Sequence, residues 1–255
     1  MPHHSSSHWL STVYFGQFVT RQWLLEQGVS KHSLDNAVKS KKLKLLSRGV
    51  LAREGVPIDW QGTIASLNRM GTLVYIGGIS ALIQQGLAHY VDFSNQVSLY
   101  SPEASPSWLS KLDLNTRLNW HRTARLWNMP DLLQISSLKK NEINNGYWIM
   151  ASPEQAIFEV LMAVPEVFSF EYADHLMQGL VNLSPRRLDA LLKCCKHIKA
   201  KRLFFFFADR QNHAWRKKLQ VDNYDLGSGH RRIASNGKLD NKYQITIPKA
   251  FYVPK

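Results

Sequence analysis

The stretch from Thr20 to Ala52 leaves a chain few ways to fold. Thr20 stands where an N-cap is needed, and Trp23, Leu24 and Leu25 give a short helix, Arg21 to Gln27, one buried face. Gly28 follows as the residue that can turn left-handed without steric cost. Ser30 then caps a second helix, Lys31 to Ser40, in which Leu34, Ala37 and Val38 face inward. Leu43 to Leu46 and Val50 to Ala52 read as two strands around a basic Ser47–Arg48–Gly49 tip. Upstream, Trp9, Leu10, Val13 and Tyr14 have helical spacing, and Phe15 and Phe18 continue the apolar content.

This order meets the requirements of a winged helix-turn-helix. Leu24 lies four residues before the glycine and Leu34 six after it, so two short helices can cross steeply and leave one outer face free. Ser30, Lys31, His32, Ser33, Asn36 and Lys39 occupy the start and the free face of the second helix. They are residues able to meet phosphates and base edges, with Asn36 suited to adenine. Lys41, Lys42, Lys44 and Arg48 line the wing, where backbone phosphates are expected. The bland alternative is a helical hairpin with a solvated basic face. In it Arg48 and Arg53 form surface ion pairs and Asp35 neutralises a neighbour.

Charge supports a polyanion partner. The net charge of +13 divides into +5 for residues 1–55, −3 for residues 56–192 and +11 for residues 193–255. The two cysteines, Cys194 and Cys195, are adjacent, which points away from a disulfide framework and towards a reducing compartment. With no apolar run near the ~20 residues of a membrane span and no signal-peptide pattern, the expected location is cytoplasmic. His3, His4 and His8 sit in a polar head read as a disordered start rather than a metal-binding tract.

Further along, Pro57 to Met70 reads as a helix and Leu73 to Ile76 as a strand; Ser80 caps a helix through Gln85, and Val97 to Tyr100 is a strand. Ser101 to Ser107 is rich in proline and serine and forms the best linker. Ser152–Pro153–Glu154 opens a helix that Pro165 ends, with Glu154 and Glu159 as ordinary helix-face charges. Phe170 to Gly179 and Ser184 to Cys195 are two further helices. Leu203 to Ala208, with four consecutive phenylalanines, reads as a strand buried on both faces, and Tyr243 to Ile247 as a last strand. The expected class is α+β: an N-terminal winged helix-turn-helix domain over residues 1–95, with its core at 10–55, and a larger mixed α/β domain over 96–255.

Enzyme signals are weak. No Walker loop or dinucleotide fingerprint is present, so no cofactor is expected. Gly227–Ser228–Gly229 reads as a turn, although His230, Arg231 and Arg232 beside it could hold an anion. The alternative function is a metal-dependent nuclease using Asp209 at the end of the phenylalanine strand, with His213 and Lys217 downstream. The competing reading of Asp209 is a helix cap, with His213 and Trp215 as packing or surface groups.

The run from Phe18 to Arg53, followed by Tyr75-Ile-Gly-Gly-Ile-Ser-Ala-Leu82 and Gly86-Leu-Ala-His-Tyr90, resembles the AbiEi antitoxin family of abortive-infection toxin–antitoxin systems. Ser152-Pro-Glu-Gln-Ala-Ile157 and Arg202-Leu-Phe204 are similar to its C-terminal domain. So is the stretch from His213 through Gly227-Ser-Gly-His-Arg-Arg232 to Gln244-Ile-Thr-Ile-Pro248. The resemblance implies a non-enzymatic antitoxin that represses its own promoter at repeated double-stranded DNA sites, as a dimer or cooperatively. It also implies a functional partner, an AbiEii-type nucleotidyltransferase toxin, that the antitoxin counteracts without a stable complex.

Overall fold

The computed structural model describes residues 8–88 and 95–252. His3 and His4, and the His89–Tyr90 end of the Gly86 motif, lie outside them. Two compact units emerge. The first takes residues up to Tyr75 with Asn95–His121 and Lys140–Ile149, and the second takes Ile76–Ser94, Arg122–Lys139 and Met150 onwards.

The first unit opens on a 3-10 turn, His8–Thr12, rather than the α-helix that the spacing of Trp9 to Tyr14 predicts. Then come strand β1 (Phe18–Thr20) and helices α1 (Arg21–Glu26) and α2 (Lys31–Lys39), then strands β2 (Lys44–Ser47) and β3 (Val50–Ala52). The three strands form an antiparallel sheet in the order β1-β3-β2. Both expected caps are present: the Thr20 and Ser30 side chains accept hydrogen bonds from the Trp23 and Ser33 amides. Gly28 adopts a φ of 84°, and the Gly28 and Val29 amides donate to the Leu25 and Leu24 carbonyls, so the turn closes as a Schellman motif. Val13, Val19, Leu24, Val29, Leu34, Ala37, Leu43 and Leu51 form one buried cluster, which fixes the crossing of α1 and α2. Helix α3 (Trp60–Arg69) packs on β1, where the Ser66 hydroxyl accepts from the Phe18 amide.

Strands β4 (Tyr75–Ile76), β5 (Gln96–Ser101), β6 (Arg117–Arg122), β7 (Leu138–Ile143) and β8 (Gly146–Ala151) form a five-stranded sheet in the order β6-β5-β4-β8-β7. Helix α4 (Gly78–Gln84) starts two residues before the predicted Ser80 cap, which is itself buried within the helix. Helix α5 (Met129–Gln134) was not visible in the sequence pattern.

The second unit is built around α6 (Pro153–Met162), which packs against α4, α7 (Phe170–Gly179), α8 (Pro185–Cys194) and α9 (Ile198–Gln211). A three-stranded sheet of β9 (Arg231–Arg232), β10 (Lys238–Asp240) and β11 (Ile245–Ile247) runs in the order β10-β11-β9.

Two sequence expectations fail in this unit. The four phenylalanines are not a strand but the middle of α9. His197 caps the helix at its start and Asn212 ends it in a left-handed conformation, and no glycine or proline interrupts the residues between. Every residue from Ala200 to Ala208 is buried, as suits a helix surrounded by protein. Glu154 and Glu159 are not helix-face charges either, being 2% and 0% exposed. Glu159 accepts from the Gly78 amide at 2.7 Å, the Gln155 amide group at 2.9 Å and the Trp127 indole at 3.3 Å. Glu154 accepts from the Ser184 amide and from Arg187, both at 2.8 Å. Buried carboxylates persist only with such partners, which here cap α4 and the start of α8.

Candidate nucleic-acid interface

Helix α2 buries Leu34 and Ala37, packs Val38 against the same cluster and turns its polar residues outward. Ser30, Lys31, His32, Asn36 and Lys39 are exposed and Ser33 is half-buried. His32, Asn36 and Lys39 follow at i, i+4 and i+7, so they form one stripe along the open face. The Asn36 amide group and His32 Nε2 lie 2.9 Å apart, which orients Asn36 on that stripe. Asp35, the one acid on the helix, is ion-paired with Arg21 of α1 at 2.8 Å. It is thereby neutralised by a neighbour instead of facing a phosphate alone.

Beyond α2 the cations continue. Lys41, Lys42, Lys44 and Arg48 are all exposed, and among the described residues none enters an ion pair. Arg48 and Gly49 make the two-residue turn between β2 and β3, since Ser47 is paired with Val50. Gly49 has a φ of 78°, which a side chain would resist. Arg53 makes no ion pair among the described residues; it donates to the Leu10 carbonyl and lies over the Phe15 ring.

Lys41 carries a feature that sequence reasoning missed. It has a φ of 57°, and the Lys41 and Lys42 amides donate to the Val38 and Ala37 carbonyls. It therefore stands at the left-handed position that closes α2, where glycine is the favoured residue. A lysine there costs about 1 kcal/mol in backbone strain. The only signal in the sequence is negative: α2 ends with no glycine after it.

The Asp209 environment differs from the strand-end carboxylate expected of a nuclease. Asp209 lies inside α9 and caps no following helix. One oxygen is ion-paired with Arg216 at 2.7 Å; the other meets Lys242 and the Tyr243 hydroxyl. Burial alone would raise this carboxyl, but the Lys242 and Tyr243 hydrogen bonds and the Arg216 charge hold it below its ordinary value. His213 meets the Met177 carbonyl, and the Trp215 indole donates to that of Leu180, so both pack. No group of three or more metal-ligating side chains occurs among the described residues.

The glycine loop at 227–229 turns its Gly227 and Gly229 carbonyls towards Arg202. Arg202, 2% exposed, donates to the carbonyls of Leu226, Gly227, Gly229 and Gln244 at 2.6–3.0 Å. The loop holds a buried cation with its oxygens. Cys194 and Cys195 are free and buried, and burial pushes their thiols up to about 11 and about 12.

A winged helix with an open basic face, followed by this second unit, can be set beside known proteins. Residues 3–93 match the family model described as transcriptional regulator, AbiEi antitoxin N-terminal domain. Residues 94–248 match the model described as transcriptional regulator, AbiEi antitoxin, type IV toxin–antitoxin system. The chain belongs to the AbiEi antitoxin family. Among solved structures, that of the RV2827C protein from Mycobacterium tuberculosis is similar in fold. It is 16% identical, with a TM-score of 0.51 over 94% of this chain and 88% of that one. No curated protein matches significantly. As an AbiEi protein the chain is a transcriptional regulator and antitoxin, and no helix among its described residues is long and apolar enough to cross a membrane.

Proposed function

We propose that this protein represses its own promoter by laying α2 in the major groove of repeated double-stranded DNA sites, and counteracts a nucleotidyltransferase toxin of the AbiEii type. The observation that carries the DNA-binding half is the stripe of His32, Asn36 and Lys39 on the open face of a helix whose other face packs on the core through Leu34, Ala37 and Val38. Ser30, Lys31 and Ser33 meet phosphates or base edges at the start of the helix. Asn36, oriented by His32, reads a base. Lys41, Lys42, Lys44 and Arg48 bind backbone phosphates beside the groove. One helix covers a few base pairs only, so two protomers or cooperative copies act on repeated sites. The protein acts in the cytoplasm and without catalysis.

Footprinting on the promoter combined with a growth assay tests both halves. Wild-type protein is expected to protect repeated sites and to restore growth to cells expressing the toxin. The Asn36→Ala/Lys39→Ala variant is expected to lose the footprint and still restore growth. An unchanged footprint would overturn the assignment of α2. Failure of the wild type to restore growth would overturn the toxin assignment.

A further inference from the structure

The second unit holds a cleft of about 730 Å³ that neither reading above employs. Its walls come from the end of α9, from β10 and β11, and from the chain through Phe251 and Tyr252. Phe206, Ile247 and Phe251 are buried in its lining, with the Arg210 guanidinium 4.7 Å over the Phe251 ring and paired with Asp174, while Leu239 is exposed and Tyr252 partly so. Lys242 lines the cleft, and Lys238, Arg231 and Arg232 stand on the strands beside it. Lys238 Nζ lies 4.6 Å above the Tyr252 ring and forms no ion pair among the described residues. Lys242 pairs with Asp209, yet its side chain stays 62% exposed and keeps N–H groups for another acceptor. Across the sheet, β9 adds Arg231 and Arg232, both exposed.

The two carboxylates in the lining are already engaged. Asp209 is bound as described, and Asp240 accepts from the Tyr243 amide at 2.7 Å. The exposed Asn241 offers hydrogen-bonding groups beside them.

An aromatic side chain, buried apolar groups and exposed cations on the adjoining strand suit a base flanked by phosphates. A duplex keeps its bases stacked inside and offers recessed apolar groups nothing to bury; an unpaired base can be splayed against them. We propose that this cleft is a site for single-stranded nucleic acid. One unpaired base enters against Tyr252 and Leu239, and the phosphates on either side lie on Lys238 and Lys242. The site is independent of α2 and does not rest on the promoter reading.

Fluorescence anisotropy of the full chain tests it, with labelled oligothymidylate, oligouridylate and an abasic strand of equal length. The base-bearing strands are expected to bind, and the abasic strand about tenfold more weakly, the size of one stacking contact. Tyr252→Leu should bring the base-bearing strands down to the abasic level. Lys238→Gln should make the plot of log affinity against log salt shallower by about 0.7. Asn36→Ala/Lys39→Ala should change none of these values. Tighter binding of uridylate assigns RNA as the ligand and tighter binding of thymidylate assigns DNA; either supports the site. Equal binding of abasic and base-bearing strands would overturn it, even if a variant fails to fold, because that comparison uses wild-type protein. Loss of binding in the α2 variant would overturn it as well. An acidic peptide that displaces the strands while the abasic strand binds equally would assign the cleft to a protein partner instead.

Discussion

Both ends of this chain are basic, but they use their charge differently. On α2 and the wing, Lys31, Lys39, Lys41, Lys42, Lys44 and Arg48 face water with no ion pair among the described residues. In the second unit many cations are engaged by the protein's own acceptors. Arg202 holds four carbonyls, Arg216 and Lys242 hold Asp209, Arg210 holds Asp174 and Lys199 holds Glu166. The +11 of residues 193–255 therefore overstates what is free for a partner, whereas the smaller +5 of residues 1–55 sits largely on one open surface. Net charge locates a candidate region; only the partners of each cation separate binding charge from structural charge.

The largest effect that can break this contrast is expected at Arg202. Arg202→Ala leaves four carbonyls without their buried donor and should destabilise the protein by about 3–5 kcal/mol in urea unfolding. Lys39→Ala should stay within about 0.5 kcal/mol of wild type in the same measurement. Equal losses at the two positions would erase the distinction.

Next comes the pH dependence of Asp209. Its folded carboxyl titrates below the ordinary value of 3.8, so the stability it contributes is complete above that value and drains away as pH falls through the folded value. Asp209→Asn should lower the urea midpoint near neutral pH, and the gap to wild type should narrow as the solution becomes more acidic than about pH 4. A gap that stays constant with pH would show that the Asp209 ion pairs contribute nothing.

A smaller effect sharpens the other side. Lys41→Gly should stabilise the protein by up to about 1 kcal/mol, because glycine accepts the left-handed backbone without strain. The same change should weaken promoter binding and make its salt dependence shallower by about 0.9 in the logarithmic slope. Stabilisation without loss of binding would mean that Lys41 contacts no phosphate.

The parts that were legible in the sequence are those whose signals are local. Thr20, Gly28 and Ser30 mark cap, turn and cap within a few residues, so the two helices and the wing emerge where the pattern places them. All ten candidate interface positions lie at the surface, wholly or in part, and on α2 the apolar spacing of Leu34 and Ala37 already dictates which residues face out. What stayed hidden depends on distant partners. Strand β1 is three residues long and exists through its pairing with β3. Glu159 is buried because the start of α4 requires an acceptor, 81 residues earlier in the chain. The phenylalanine run is ambiguous in itself, since burial on all sides removes the periodicity that separates helix from strand. The stretch from Ile198 to Gln211 is free of glycine and proline and longer than an ordinary strand, and that length separates the two readings.

The account rests on α2 being the DNA-reading element. The most direct test titrates promoter DNA with wild type, Asn36→Ala/Lys39→Ala and an irrelevant duplex of equal length, at low and moderate salt, with melting temperatures measured alongside. The account predicts promoter-selective binding by the wild type that weakens steeply with salt. It also predicts loss of that selectivity in the double variant at an unchanged melting temperature. Equal binding of both duplexes, unaffected by the two substitutions, would contradict it.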